Sequence, residues 1–77
     1  MKIGSIVRPR YYNGYNSAYR SIPFVVVDRP TGPQNKVRIK PFGDLMRDQI
    51  EAEADLIILT KSNKEWCHPN YQHLLRD

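Results

Sequence analysis

Several features that would identify a protein class are scarce in this sequence. It has one cysteine, Cys67, which excludes an internal disulfide framework and is typical of a reducing compartment. It has no apolar run near the roughly 18 residues that a transmembrane helix needs, and its N-terminal apolar run is too short for a signal-peptide core. We therefore expect a cytoplasmic protein with no membrane partner.

Patterns that support catalysis or metal binding are also scarce. The 77 residues make one small domain with little mass for both a deep pocket and a catalytic shell. There is no glycine-rich phosphate loop or serine nucleophile motif. Cys67, His68 and His73 are fewer than the four ligands that zinc normally takes, and Glu51 and Glu53 flank small alanines rather than a cleft. We expect no enzyme, no cofactor, no metal and no small-molecule substrate.

Acidic residues are nearly absent from the first half of the chain. Residues 1–40 carry eight lysines and arginines and one acid, Asp28, whereas residues 41–77 carry four cations and seven acids. The formal net charge of +4 therefore conceals a polarised distribution. Such a distribution suits an anionic partner on one side of the molecule, although the same charges are also compatible with solvated strand and loop faces.

Short β-branched segments separated by turn formers predict an all-β fold. We predict strands in residues 3–9, 22–28, 36–41 and 49–53, and a tight helical turn leading into a last strand within residues 54–59. Period-two alternation assigns the buried positions, because successive strand residues point to opposite faces. The residues expected inside are Ile3, Val7, Val37, Ile39, Ile50 and Ala52, with Lys36, Arg38 and Lys40 in water.

This order of strands, with a long first loop, resembles the SH3-like barrels, including the KOW-type modules of transcription and translation proteins. The segment IGSIVRP is similar to their G-D-x-V first strand, and EADLIIL is similar to their x-x-D-L-x-x-L ending. The resemblance covers roughly residues 3–59. It implies a small five-stranded barrel over residues 1–60, in which the first loop helps to form the ligand surface.

Residues 61–77 predict a short helical appendage. Ser62 and Glu65 have the spacing of a capping box, and Pro69 prevents one continuous helix. Two short turns would then present a small apolar face made of Trp66, Tyr71, Leu74 and Leu75. We expect this appendage to pack over the open end of the barrel. The alternative is a tail that becomes ordered only when a partner binds.

The segment RPRYYNGYNSAYR, residues 8–20, is the strongest candidate for a binding surface. It combines four tyrosines with three arginines and has no acid. Aromatic rings stack on unpaired bases and arginines contact phosphates, so this composition is typical of nucleic-acid binding. The cations of the third strand would extend the positive field. The predicted interface consists of Arg8, Arg10, Tyr11, Tyr12, Tyr15, Tyr19, Arg20, Lys36, Arg38 and Lys40.

A protein partner is the alternative hypothesis, because tyrosine and arginine are also enriched at protein–protein hot spots. The chain would then be a small regulatory protein, such as a phage-type inhibitor that docks on a host enzyme. Its contact surface would be the acidic segment and the tail, represented by Asp44, Asp48, Glu51, Glu53 and Trp66. A structural subunit of a larger complex is also compatible with the size. Composition alone does not separate nucleic acid from protein.

Overall fold

The computed structural model describes residues 1–10, 22–32, 35–43 and 47–76. This part of the chain forms one antiparallel sheet of five strands in the order β4-β3-β2-β1-β5, so that β4 and β5 are its two edges. The strands are β1 (Ile6–Pro9), β2 (Phe24–Asp28), β3 (Lys36–Pro41), β4 (Gln49–Ala52) and β5 (Leu56–Ile58). The prediction of a mostly β fold with five strands is confirmed.

Strand β3 has the regular alternation that its sequence predicts. Val37 and Ile39 are fully buried, and Lys36, Arg38 and Lys40 are exposed. The strand pairs with β2 on one side and with β4 on the other. Its apolar residues therefore enter the core while its cations line the opposite face of the sheet.

The main hydrophobic cluster lies on the face to which Val37 and Ile39 point. Four of the five strands contribute to it, and β4 does not. The cluster consists of Val7, Phe24, Val26, Val37, Ile39 and Leu56, with Met1 packed against it. Burial of this apolar surface is the main favourable contribution to folding.

The first strand is shorter than predicted. Residues 3 and 4 form a turn, in which Gly4 has a φ of 93° and donates its N–H to Val26 O at 2.8 Å. A positive φ is accessible to glycine at little cost and ends the extended backbone there. Ile3 is consequently 66% exposed, and the expectation that it is buried is wrong.

Strand β4 presents its faces the opposite way from the prediction. Ile50 lies opposite Arg38 and Glu51 lies opposite Val37. Directly opposed residues point to the same face of a sheet, so Ile50 lies on the cationic side and is 50% exposed. Ala52 lies opposite Lys36 on the same side, so the expectation that Ile50 and Ala52 point inward is wrong. Register with β3 determines the orientation of this edge strand, and its own apolar pattern does not.

Three 3₁₀ helices complete the described chain: η1 (Glu53–Asp55), η2 (Lys61–Trp66) and η3 (Pro69–Leu74). The predicted helical turn before the last strand is confirmed as η1. The predicted helical appendage consists only of 3₁₀ turns. Within the described ranges, no helix has the length and apolar character that crossing a bilayer requires.

The predicted capping box in the tail is displaced by two residues. The Thr60 N–H donates to Asn63 Oδ1 at 2.7 Å, and the Ser62 N–H donates to Thr60 Oγ1 at 3.3 Å. Thr60 is therefore the capping residue of η2, and the assignment of Ser62 and Glu65 is wrong. The T-x-x-N spacing satisfies backbone donors at the start of η2 as the predicted box would have done.

A second hydrophobic cluster joins the tail to the sheet. It consists of Leu59, Cys67 and Leu75, with Ile6 and Tyr71 packed against it. Ile6 precedes Val7 on β1, and Val7 belongs to the main cluster. Since successive strand residues point to opposite faces, the tail covers the face of β1 that is opposite the main cluster.

Replacing Leu75 with alanine should lower the free energy of unfolding by about 2–5 kcal/mol, because it removes a fully buried side chain and leaves a cavity. Leu75 is 2% exposed. The control is Ile3→Ala, at the 66% exposed position, which should stay within about 0.5 kcal/mol of wild type. Urea denaturation followed by circular dichroism measures both changes. Equal effects of the two variants would contradict the packing described here.

Candidate nucleic-acid interface

The sheet register places four of the predicted interface residues on one face. Ile6 lies opposite Val25, and Val25 lies opposite Lys40. These three residues therefore share a face. Residues two apart on a strand also share a face. On β1, Arg8 therefore lies on the face of Ile6, and on β3, Arg38 and Lys36 lie on the face of Lys40. We call the residues Arg8, Lys36, Arg38 and Lys40 the cationic face.

One acid lies beside the cationic face in an exposed ion pair. The register of β2 shifts between Val26 and Asp28, which places Asp28 opposite Arg38. The Arg38 Nε and the Asp28 Oδ1 are 3.3 Å apart, and both side chains are about half exposed. Exposed pairs contribute only about 0–1 kcal/mol, so this contact leaves Arg38 able to exchange its partner for a phosphate.

Ile50 is an exposed apolar residue at the edge of the cationic face. It projects from β4 beside Arg38 and is half exposed. Val25, beside Lys40, is partly buried on the same face. The surface over β2, β3 and β4 therefore combines positive charge with small apolar areas, which suits a ligand that has both phosphates and bases.

Arg8 connects this face to the tail. Its guanidinium carbon lies 5.2 Å from the centroid of the Trp66 ring, within the range of a cation–π contact. Its Nη1 also donates to the main-chain oxygen of Trp66 at 3.1 Å. The indole nevertheless remains 45% exposed. Trp66, which the sequence assigned to the alternative protein interface, thus contacts a residue of the cationic face.

Arg10 has a structural role at the end of β1. Its N–H donates to Asp55 O at 2.7 Å and its Nε donates to Ala54 O at 3.3 Å. These bonds hold the chain beside η1 just before the tyrosine-rich segment continues. The other predicted interface residues lie outside the described residues: Tyr11, Tyr12, Tyr15, Tyr19 and Arg20.

Glu53, Glu51 and Asp48, the described acids of the alternative protein interface, have different surroundings. Glu53 lies in η1, where Arg29 donates to its carboxylate and the Met1 amino group is 3.5 Å away. The hydrogen bond from Arg29 is the main reason that the pKa of Glu53 is below its usual value. Glu51 points to the face of Val37, and Asp48 is exposed. Asp44 lies outside the described residues.

The cysteine and histidines of the tail have local structural contacts. Cys67 is 2% exposed, and burial raises the pKa of its thiol, which opposes nucleophilic use. Its Sγ donates to His68 O at 3.6 Å, while His68 Nδ1 accepts the Asn70 N–H at 3.1 Å and so caps η3. Within residues 1–10, 22–32, 35–43 and 47–76 no three acids, cysteines or histidines are grouped to hold a metal ion.

An open groove of about 670 Å³ lies where β1 and β5 meet the tail. The exposed side chains of Ile3 and Ile58 contribute to its walls. Lys2 and Arg76 also line it. None of the four cations of the cationic face lines this groove, although Ile6, which shares a face of β1 with Arg8, does. We call it the separate groove because its own cations, Lys2 and Arg76, are different ones.

Comparison of the chain with protein-family models, curated proteins and solved structures gives no match. What the cationic face binds must therefore be inferred from its charges and its neighbouring side chains.

The ion pair of Glu53 predicts a specific dependence of stability on pH. A lowered pKa in the folded state stabilises the fold above the unfolded value of about 4.3, and this stabilisation is lost as the pH falls through the folded pKa. Glu53→Gln should therefore reduce the loss of unfolding free energy on acidification below about pH 5. Urea denaturation across this range measures the effect.

The matched control for Glu53→Gln is Glu65→Gln, which removes one exposed carboxylate from η2. An acid dependence that is the same in Glu53→Gln and in the wild type would show that the Arg29 contact does not stabilise the fold.

Proposed function

We propose that this chain is a non-catalytic binding module that holds nucleic acid on its cationic face. The observation that carries the proposal is the alternation of β3, which puts Lys36, Arg38 and Lys40 together in water while Val37 and Ile39 are fully buried. Arg8 lies on the same face by register. A rigid sheet thus carries a row of cations suited to a phosphate backbone.

The spacing of the charges favours an extended anionic ligand. Alternate residues of a strand lie about 6.6 Å apart, so the three cations of β3 extend over about 13 Å. Small anions would neutralise one or two of these charges, whereas a polyanion can contact all of them. Release of counterions from such a ligand supplies essentially all of the affinity in non-specific nucleic-acid binding.

We also propose an SH3-like barrel as the fold of this module. Support comes from the order of strands along the chain, the long connection between β1 and β2, and the position of η1 between β4 and β5. The resemblance implies that the first loop borders the ligand surface. The tyrosines of residues 8–20 would then supply stacking contacts beside the cations of the sheet.

A regulatory protein that docks on a host protein remains the competing hypothesis. It has less support because Arg29 compensates the charge of Glu53, and because Glu51 lies opposite Val37, on the face of the main hydrophobic cluster. In addition, Trp66, the one aromatic residue of the competing interface, contacts Arg8 of the cationic face.

The double variant Lys36→Gln/Lys40→Gln should weaken binding of a fluorescein-labelled oligothymidylate. It should also make the slope of log K against log salt shallower by about 1.4, since each phosphate contact on a single strand contributes about 0.7. Fluorescence anisotropy between 25 and about 200 mM salt measures both effects. The matched control is Lys2→Gln/Arg76→Gln, which removes two exposed cations that line the separate groove and should keep the wild-type slope.

Two outcomes would overturn the proposal. One is the absence of any anisotropy change for wild type even at the lowest salt. The other is an equal loss of affinity in the two double variants, which would mean that net charge alone attracts the oligonucleotide. Retention of one stoichiometric protein from a nuclease-treated lysate, without oligonucleotide binding, would favour the competing hypothesis.

A further inference from the structure

We infer that Trp66 is a base-stacking residue of the cationic face, and that the module therefore prefers single-stranded nucleic acid to duplex. The inference deepens the proposed function and rests on it. Four large hydrophobic side chains are exposed in the described part of the chain: Ile3, Ile50, Ile58 and Trp66. Trp66 is the aromatic one among them, and it contacts an arginine of the cationic face.

The indole is held in place before any ligand arrives. The Arg8 guanidinium lies over the ring in a cation–π contact, and Arg8 also donates a hydrogen bond to the main-chain oxygen of Trp66. The main chain is also anchored on both sides of Trp66. Cys67 is buried in the second cluster. Gln72 Nε2 donates to Lys64 O at 3.1 Å and to Cys67 O at 3.2 Å. A preorganised ring loses little conformational entropy when a base stacks on it.

The position of Arg8 puts this ring within reach of the cations on β3. Arg8 and Lys40 are separated by two strand spacings across the sheet and by two residues along it, because Ile6, Val25 and Lys40 are aligned. Standard strand dimensions make this Cα separation about 12 Å. A short stretch of single strand that contacts Lys40 can therefore extend to Arg8 and to the indole that Arg8 contacts.

Stacking on Trp66 determines which form of nucleic acid fits. In a duplex each base is covered by its neighbours, whereas in a single strand the bases can turn out onto an aromatic ring. Phosphate contacts alone would favour the higher charge density of a duplex. A preference for the single strand therefore depends on the aromatic contact.

Trp66 is the one tryptophan of the sequence, so intrinsic tryptophan fluorescence reports on this position alone. Addition of oligothymidylate to the wild-type protein should quench the emission with the same midpoint as the anisotropy titration of the labelled strand. Trp66→Ala should weaken single-strand binding by about 5- to 150-fold and leave duplex binding nearly unchanged. Trp66→Phe should retain most of the single-strand affinity.

The matched control is Ile58→Ala, at an exposed apolar position in the wall of the separate groove, and it should bind like wild type. Strand binding seen by anisotropy without a change in Trp66 emission would overturn this inference and leave the proposed function standing. So would equal losses of affinity for single strand and duplex in Trp66→Ala. No anisotropy change with either ligand would overturn the proposed function together with this inference.

Discussion

The alternation of apolar and cationic residues along β3 determines both the core of this sheet and the chemistry of its opposite face. One strand supplies Val37 and Ile39 to the main hydrophobic cluster and, from the intervening positions, supplies Lys36, Arg38 and Lys40 to the opposite face. Because β3 also pairs with a strand on each side, its register fixes where the residues of β2 and β4 point. The core that stabilises the domain and the surface proposed to bind nucleic acid are therefore two sides of the same element.

The tail both buries apolar side chains against the sheet and brings an aromatic ring to its cationic face. Its buried residues Cys67 and Leu75 form the second cluster with Leu59 and thus cover part of the face opposite the core. The same packing brings Trp66 against Arg8. A domain of this size gains much from such a cover, since few residues are available for one core. The proposed stacking position is a consequence of how the tail is anchored.

The sequence predicted the elements whose signals are local. The strand at Val37 and Ile39 and the turn before β5 follow from short-range patterns, and both are present. Ile50 was misassigned because the orientation of an edge strand depends on register with its neighbour, which a four-residue pattern does not encode. The contact between Arg8 and Trp66 joins residues 58 positions apart and depends on the packing of the tail, so no local signal indicated it.

A titration of ¹⁵N-labelled protein with oligothymidylate, followed by chemical-shift changes in two-dimensional NMR spectra, tests whether the cationic face binds nucleic acid. The changes should be concentrated on the amides of residues 36–40 and on the indole N–H of Trp66. The amides of Ile3 and Ile58, beside the separate groove, should shift little. Changes confined to that groove, or no changes along β3 at low salt, would contradict the assignment of the cationic face as the binding surface.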